Sequence, residues 1–117
     1  MERFMLKSKI HGATLTGTEL DYEGSITIDE NLLEKADILP GEQVHVLNIN
    51  NGERFITYTI SAPRDSGLIL LNGPAARLGT VGDKVIIISY TQISAEKAED
   101  LQTRKIFVDD KNKPKES

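Results

Sequence analysis

The chain has 117 residues, 38% of them hydrophobic, with a net charge of −4 and no cysteine. That is enough for one domain that buries its own core without disulfide staples. The missing cysteine excludes thiolate nucleophiles and cysteine zinc sites, and the acidic, interspersed charge argues against a nucleic-acid or anionic-membrane surface.

Met1 to Lys9 has no apolar run of signal-peptide length, and Val85 to Ile88 is too short to cross a bilayer, so a cytoplasmic protein is expected. Phe4 to Thr16 mixes β-branched, apolar and basic residues and predicts an extended segment. Lys7, Lys9 and His11 share one parity and would line one face of a strand, which as an isolated feature suits a solvated edge. Thr18 to Tyr22 reads as a loop. Ser25 to Asp29 alternates as a strand, and Asp29 or Asn31 can cap a short helix over Asn31 to Ala36, with Glu34 completing a capping box with Asn31.

Pro40-Gly41 ends that unit. Gln43 to Asn48 and Arg54 to Ser61 predict a hairpin about Asn50-Asn51-Gly52. Leu68 to Leu71 is a short strand. Asn72-Gly73-Pro74 then opens a one- or two-turn helix to Leu78, with Pro74 at a favoured first position. Lys84 to Gln92 is a strand, a helix capped by Ser94 runs to about Leu101, and Arg104 to Val108 is the last strand. Residues 109–117 read as a loose charged tail. Gly41-Glu42-x-Val44 is echoed by Gly82-Asp83-x-Val85, each copy following a short helix and entering a strand. Six or seven strands with such an echo predict a single mainly-β domain, a small barrel with short helical caps and internal pseudo-symmetry.

The candidate for chemistry is Gly24-Ser25. Gly24 leaves its carbonyl carbon open to attack and can take backbone angles closed to other residues. The Ser25 hydroxyl can close a five-membered ring onto that carbonyl. An N→O acyl shift would give an ester, and β-elimination would release residues 1–24. Hydrolysis of the resulting dehydroalanine would leave a pyruvoyl group on residue 25. Taken alone, the dipeptide reads far more readily as an ordinary Gly-Ser turn leading into a strand. No metal constellation, nucleophile elbow or phosphate loop accompanies it, and His45, between two valines, reads as a surface or barrel-end residue. On the strand from Arg54, alternation sets Arg54, Ile56, Tyr58 and Ile60 on one face and Thr57 on the other. A site using Arg54, Thr57 and Tyr58 together needs a bulge, a strong twist or a second subunit.

Taken together, Met5 to His11, Tyr22-x-Gly24-Ser25, Asn51-Gly52-x-Arg54 with Thr57-Tyr58, Asn72-Gly73-x-Ala75-Ala76, and Phe107-Val108-Asp109 with Asn112-Lys113-Pro114 resemble the pyruvoyl-dependent aspartate 1-decarboxylases. The pattern departs at Gly12, where a bulkier residue is usual, and at Pro74, which stands where alanine is usual and has no N–H to donate. The resemblance implies a double-psi β-barrel, a homotetramer with sites between subunits, and conversion of L-aspartate to β-alanine and CO₂ for pantothenate synthesis. It implies a covalent pyruvoyl group from Ser25, with no metal and no pyridoxal phosphate. That carbonyl would form an imine with the substrate amine and take up the charge left by CO₂. Arg54 would grip the side-chain carboxylate, with Lys9 as a second positive charge. Tyr58, protonated at neutral pH, would donate to the carbanion. Thr57 would assist cleavage and contact substrate. Asn72, Gly73, Pro74 and Ala75 would line the pocket, and His11 and Tyr22 would stand near it. A helper protein for maturation is left open. The competing reading, a barrel used only as a binding module, predicts an intact chain with no need of Ser25.

Overall fold

The computed structural model describes residues 1–115 as a mainly-β domain. Strands β1 (Glu2–Thr14), β2 (Gly17–Glu19), β3 (Ser25–Asp29), β4 (Gln43–Asn48), β5 (Arg54–Ala62), β6 (Ile69–Asn72), β7 (Lys84–Ser94), β8 (Arg104–Val108) and β9 (Pro114–Lys115) lie in the order β2-β6-β3-β5-β4-β7-β1-β8-β9. Helix α1 (Glu30–Ala36) follows β3, a 3₁₀ turn (Gly73–Leu78) follows β6, and a single turn, α2 (Ala95–Ala98), follows β7.

This order closes on itself. β1 and β2 are one bent run, and its corner at Leu15–Thr16 changes partner: Leu15 exchanges hydrogen bonds with Gly82 and Asp83 ahead of β7, while the Thr16 amide donates to Ile69 on β6. From β2 through β6, β3, β5, β4 and β7 the ladder therefore returns to the same run, giving a six-stranded barrel to which β8 and β9 are added. β5 bends likewise, with Arg54 to Tyr58 paired to β4 and Thr59 to Ala62 to β3. In each half a strand crosses over a helix to an antiparallel strand and leaves a slot. β5 fills the slot between β3 and β4, and the β1–β2 run fills the one between β6 and β7. Two interlocked loops of this kind make a double-psi β-barrel.

The sequence echo is the signature of that two-fold relation. Gly41 and Gly82 have φ of +89° and +97°, a left-handed conformation that glycine takes without strain. The Gly41 amide donates to Thr59 and the Gly82 amide to Leu15, one at each corner. Glu42 accepts from the Leu39 amide and Asp83 from the Thr80 amide, so both acids close their turns in the same way. The core follows strict alternation: Ile10, Ile26, Ile28, Val44, Val46, Ile69, Leu71, Val85 and Ile87 are all fully buried, and α1 adds Leu32, Leu33 and Ala36. Each such side chain contributes roughly 1.5–3 kcal/mol on burial.

Several local expectations are corrected. β1 carries register shifts between Leu6 and Ser8 and between His11 and Ala13, so the simple parity fails. Lys7 leaves the face of Lys9 and His11 and binds Glu42 (2.7 Å) and the Asp37 carbonyl (2.6 Å). Asp29, not Asn31, caps α1. Its carboxylate also takes the Asp65 and Gly67 amides at 2.9 Å each, which fixes it independently of the helix. Thr18 and Glu19 belong to a strand, and the turn after Ser94 stops at Ala98, where the chain folds back to lay β8 along β1. The tail is not loose as far as Lys115. Asn112, 1% exposed, donates to the Thr14 and Gly67 carbonyls and accepts from the Thr14 amide, and β9 pairs with β8. Its last residues, 116–117, lie outside the described residues.

Candidate active site

Ser25 opens β3 and is completely buried. Its hydroxyl donates to the Glu23 carbonyl (3.1 Å) and accepts from Asn72 Nδ2 (2.9 Å). The second hydrogen of that amide goes to Thr27 Oγ1 (2.8 Å), so two hydroxyls on one face of β3 fix the Asn72 side chain. The Ser25–Asn72 ladder pairing sets them opposite each other.

Gly24 has no positive φ among the described residues; the left-handed glycine here is Gly73, at φ +62°. A Cβ on Gly73 would lie 2.5 Å from the Tyr22 carbonyl oxygen and 2.7 Å from the Gly24 nitrogen. Gly73 is thus the flat surface on which backbone 22–24 rests, and the conformational demand falls on residue 73 instead of 24. Gly24 itself faces Pro74, whose Cδ would be 3.5 Å from an added Cβ.

The parallel β3–β5 register pairs Ile26 with Thr59. The ladder stops there: the chain ahead of Ile26 turns away and leaves the Thr57–Tyr58 stretch of β5 with a free edge. A cleft of about 380 Å³ opens there, lined by Gly24, Phe55, Ile56, Thr57, Tyr58, Pro74, Ala75 and Leu78. Thr57 and Tyr58 both reach it without a bulge, because a strand edge exposes both parities. The Tyr58 hydroxyl donates to Glu23 Oε2 at 3.2 Å. Partial burial and that carboxylate push the Tyr58 pKa up, so its proton is held firmly at neutral pH.

Of the predicted residues, Gly24, Thr57, Tyr58, Pro74 and Ala75 line this cleft, Ser25, Asn72 and Gly73 do not line it directly, and Lys9, His11, Tyr22 and Arg54 stand outside it. Arg54, on the outer face of β5, donates from Nη2 to His45 Nδ1 (3.2 Å) and Tyr90 Oη (3.1 Å). Lys9 is paired in register with Ile88 and Lys105, and His11 packs its ring on Phe107 at 5.5 Å with Nδ1 buried and unpartnered. Tyr22 is 56% exposed, and its backbone, through the carbonyl above Gly73, is what meets the site. Sequence reasoning missed Glu23, Thr27, His45 and Tyr90. Thr27 was accessible by parity, two residues after Ser25 on the same face. The other three depend on which strands become neighbours. Among the described residues no cluster of three or more His, Cys, Asp or Glu side chains is placed to hold a metal ion, and no helix is long and apolar enough to cross a membrane.

A double-psi barrel with a cleft at a Gly-Ser junction, the serine hydroxyl held by a buried amide, has the frame of a small β-barrel enzyme. Residues 1–115 match the aspartate decarboxylase family model. The aspartate 1-decarboxylase of Thermoanaerobacter pseudethanolicus is 60% identical over 97% of both chains. That of Acaryochloris marina is 56% identical over 97% of this chain and 86% of its own. The chain belongs to the aspartate decarboxylase family and is a decarboxylase. A computationally designed protein, msDPBB_sym2, overlays 76% of this chain and 99% of its own with a TM-score of 0.49 at 17% identity. The fold assignment rests on the strand order.

Proposed function

We propose that this chain converts L-aspartate to β-alanine and CO₂ in the cytoplasm, in the supply of pantothenate, using a pyruvoyl group made from Ser25 by cleavage at Gly24–Ser25. The observation that carries the reading is the Ser25 hydroxyl, held between the Glu23 carbonyl and Asn72 in the strand that adjoins the cleft. The residues fit the group: a glycine precedes the serine, a buried amide can follow the oxygen on residue 25, and a cleft adjoins it.

In the maturation step Ser25 Oγ bonds to the Gly24 carbonyl carbon and the Ser25 nitrogen leaves, giving an ester. Loss of the Ser25 α-proton then expels the Gly24 carboxylate. Water converts the dehydroalanine to the keto group with release of ammonia. Thr57, which lines the same cleft as Gly24, would hold the carbonyl under attack.

Once formed, the keto group supplies the electron sink for loss of CO₂. The chain's own residues do the rest. Asn72, Gly73, Pro74 and Ala75 shape the pocket, Pro74 by packing alone because it has no N–H. Tyr58 returns a proton to the carbon that loses CO₂, and its raised pKa keeps it charged with that proton until it is needed. Arg54 and Lys9 take the surviving carboxylate. Within one chain neither lines the cleft; Ile56, two residues from Arg54 on the same strand and 58% exposed, is the cleft residue nearest to Arg54 on its face of the strand. A second copy packed on that face, as in a homotetramer, brings the cations to the cleft, with His11 and Tyr22 at its margin.

Intact mass of the purified protein tests the reading. We expect a Met1–Gly24 fragment and a larger one blocked to N-terminal sequencing, and for Ser25→Ala a single chain with no β-alanine formed. An uncleaved wild-type chain without activity would instead favour a binding module.

A further inference from the structure

Arg54 is held by two side chains that the chemistry so far has not used. His45 on β4 and Tyr90 on β7 come from neighbouring strands, and their rings meet edge-on, 5.0 Å between centroids at 73°. Both offer an acceptor to one guanidinium nitrogen, Nη2, at 3.2 and 3.1 Å. A guanidinium only donates, so His45 must present an unprotonated Nδ1 and Tyr90 an oxygen lone pair. Burial, and then the neighbouring Arg54 charge, lower the His45 pKa, which agrees with a neutral ring. Beside them opens a second cleft of about 450 Å³, lined by Phe4, Gln43, His45, Tyr90 and Gln92. A long exposed arginine is otherwise free to sample many rotamers, and each must be given up when it binds.

We propose that His45 and Tyr90 are positioning residues that hold the Arg54 guanidinium in one orientation by one corner, leaving its other nitrogens to a substrate carboxylate. This rests on the reading of Arg54 as a carboxylate-binding residue. Neither His45 nor Tyr90 touches substrate, so the effect falls on binding and not on the chemical step. Ordering of the side chain is supplied by the fold before the ligand arrives.

The test compares the processed wild type with His45→Phe, Tyr90→Phe, His45→Asn and Arg54→Ala. His45→Phe keeps the edge-on ring and removes the acceptor, Tyr90→Phe removes one oxygen, and His45→Asn restores an acceptor near Nδ1. We expect His45→Phe and Tyr90→Phe each to raise KM for L-aspartate by about fivefold or more with kcat within about twofold of wild type. Both are expected to cleave normally, and His45→Asn to recover most of the lost affinity. If Arg54→Ala raises KM while both phenylalanine variants leave it unchanged, the proposal falls and the reading of Arg54 stands. A lowered KM would also overturn it, showing that His45 and Tyr90 compete with substrate for the guanidinium. An unchanged KM in Arg54→Ala would sink both. Should His45→Phe fail to fold, Tyr90→Phe, which deletes a single part-exposed oxygen, decides the matter.

Discussion

Gly73→Ala separates folding from self-processing. Residue 73 has φ +62°, and its added Cβ would lie 2.5 Å from the Tyr22 oxygen, 2.7 Å from the Gly24 nitrogen and 2.9 Å from the Glu23 carbonyl carbon. Those three atoms are backbone, so no side-chain rotation relieves them. The left-handed conformation costs a non-glycine residue roughly 1–2 kcal/mol, and overpacking adds roughly 1–3 kcal/mol. The sum, about 2–5 kcal/mol, is survivable for a domain with ordinary stability of roughly 5–15 kcal/mol. The closest contact is nearly 1 Å short of the ordinary range that begins at 3.4 Å. Residues 22–24 must therefore retreat by roughly that much, which carries the Gly24 carbonyl away from Ser25 Oγ. A displacement of 1 Å costs on the order of 100-fold in a positioned reaction. Urea unfolding of Gly73→Ala made in the uncleavable Ser25→Ala chain reads the stability loss. Intact mass against time after purification reads cleavage in the otherwise wild-type chain. Cleavage within twofold of wild type with unchanged stability would refute the role given to Gly73.

Tyr58→Phe leaves cleavage intact and lowers kcat by roughly 10²–10⁴; full activity in a cleaved variant would remove Tyr58 as proton donor. Burial works against the Glu42 charge, yet bonds from Lys7, Ser89 and the Leu39 amide hold its carboxyl below the ordinary value. A lowered folded pKa gives stability that is complete above the unfolded value, about 4.3, and is lost as pH falls through the folded one. Glu42→Gln in the Ser25→Ala chain is thus less stable at pH 7 and converges with its parent on acidification; a constant difference down to pH 2 contradicts this. Asn112→Ala strips partners from the Thr14 amide and the Thr14 and Gly67 carbonyls, and urea unfolding is expected to report a loss of about 3 kcal/mol. A loss under about 1 kcal/mol would mean that water replaces all three bonds.

Alternation and punctuation in the sequence determined most of the barrel strands and the hairpin turn at Gly52, because period-two burial and left-handed glycines are local properties, whereas Thr18 and Glu19 are a strand only through their pairing with β6. Gly41-Glu42 and Gly82-Asp83 announced a two-fold relation since each acid closes its own turn within four residues. The Gly24-Ser25 pair was legible because its chemistry needs only adjacency. What adjacency cannot carry was decided by the tertiary structure. One bulge, between Leu6 and Ser8, turned Lys7 out of the row it shared with Lys9 and His11, and it arises from pairing with β7. Asn112, read as part of a loose tail, is buried because Thr14 and Gly67, far away in sequence, converge on its amide. The glycine under steric demand proved to be Gly73, since only the folded chain lays residues 22–24 across it. Arg54 shares a strand and a face with Tyr58 yet meets His45 and Tyr90, because four residues along the strand set it beside a different stretch of β4 and β7. Spacing along the chain proposes which groups can react; the closure of the barrel determines which of them meet.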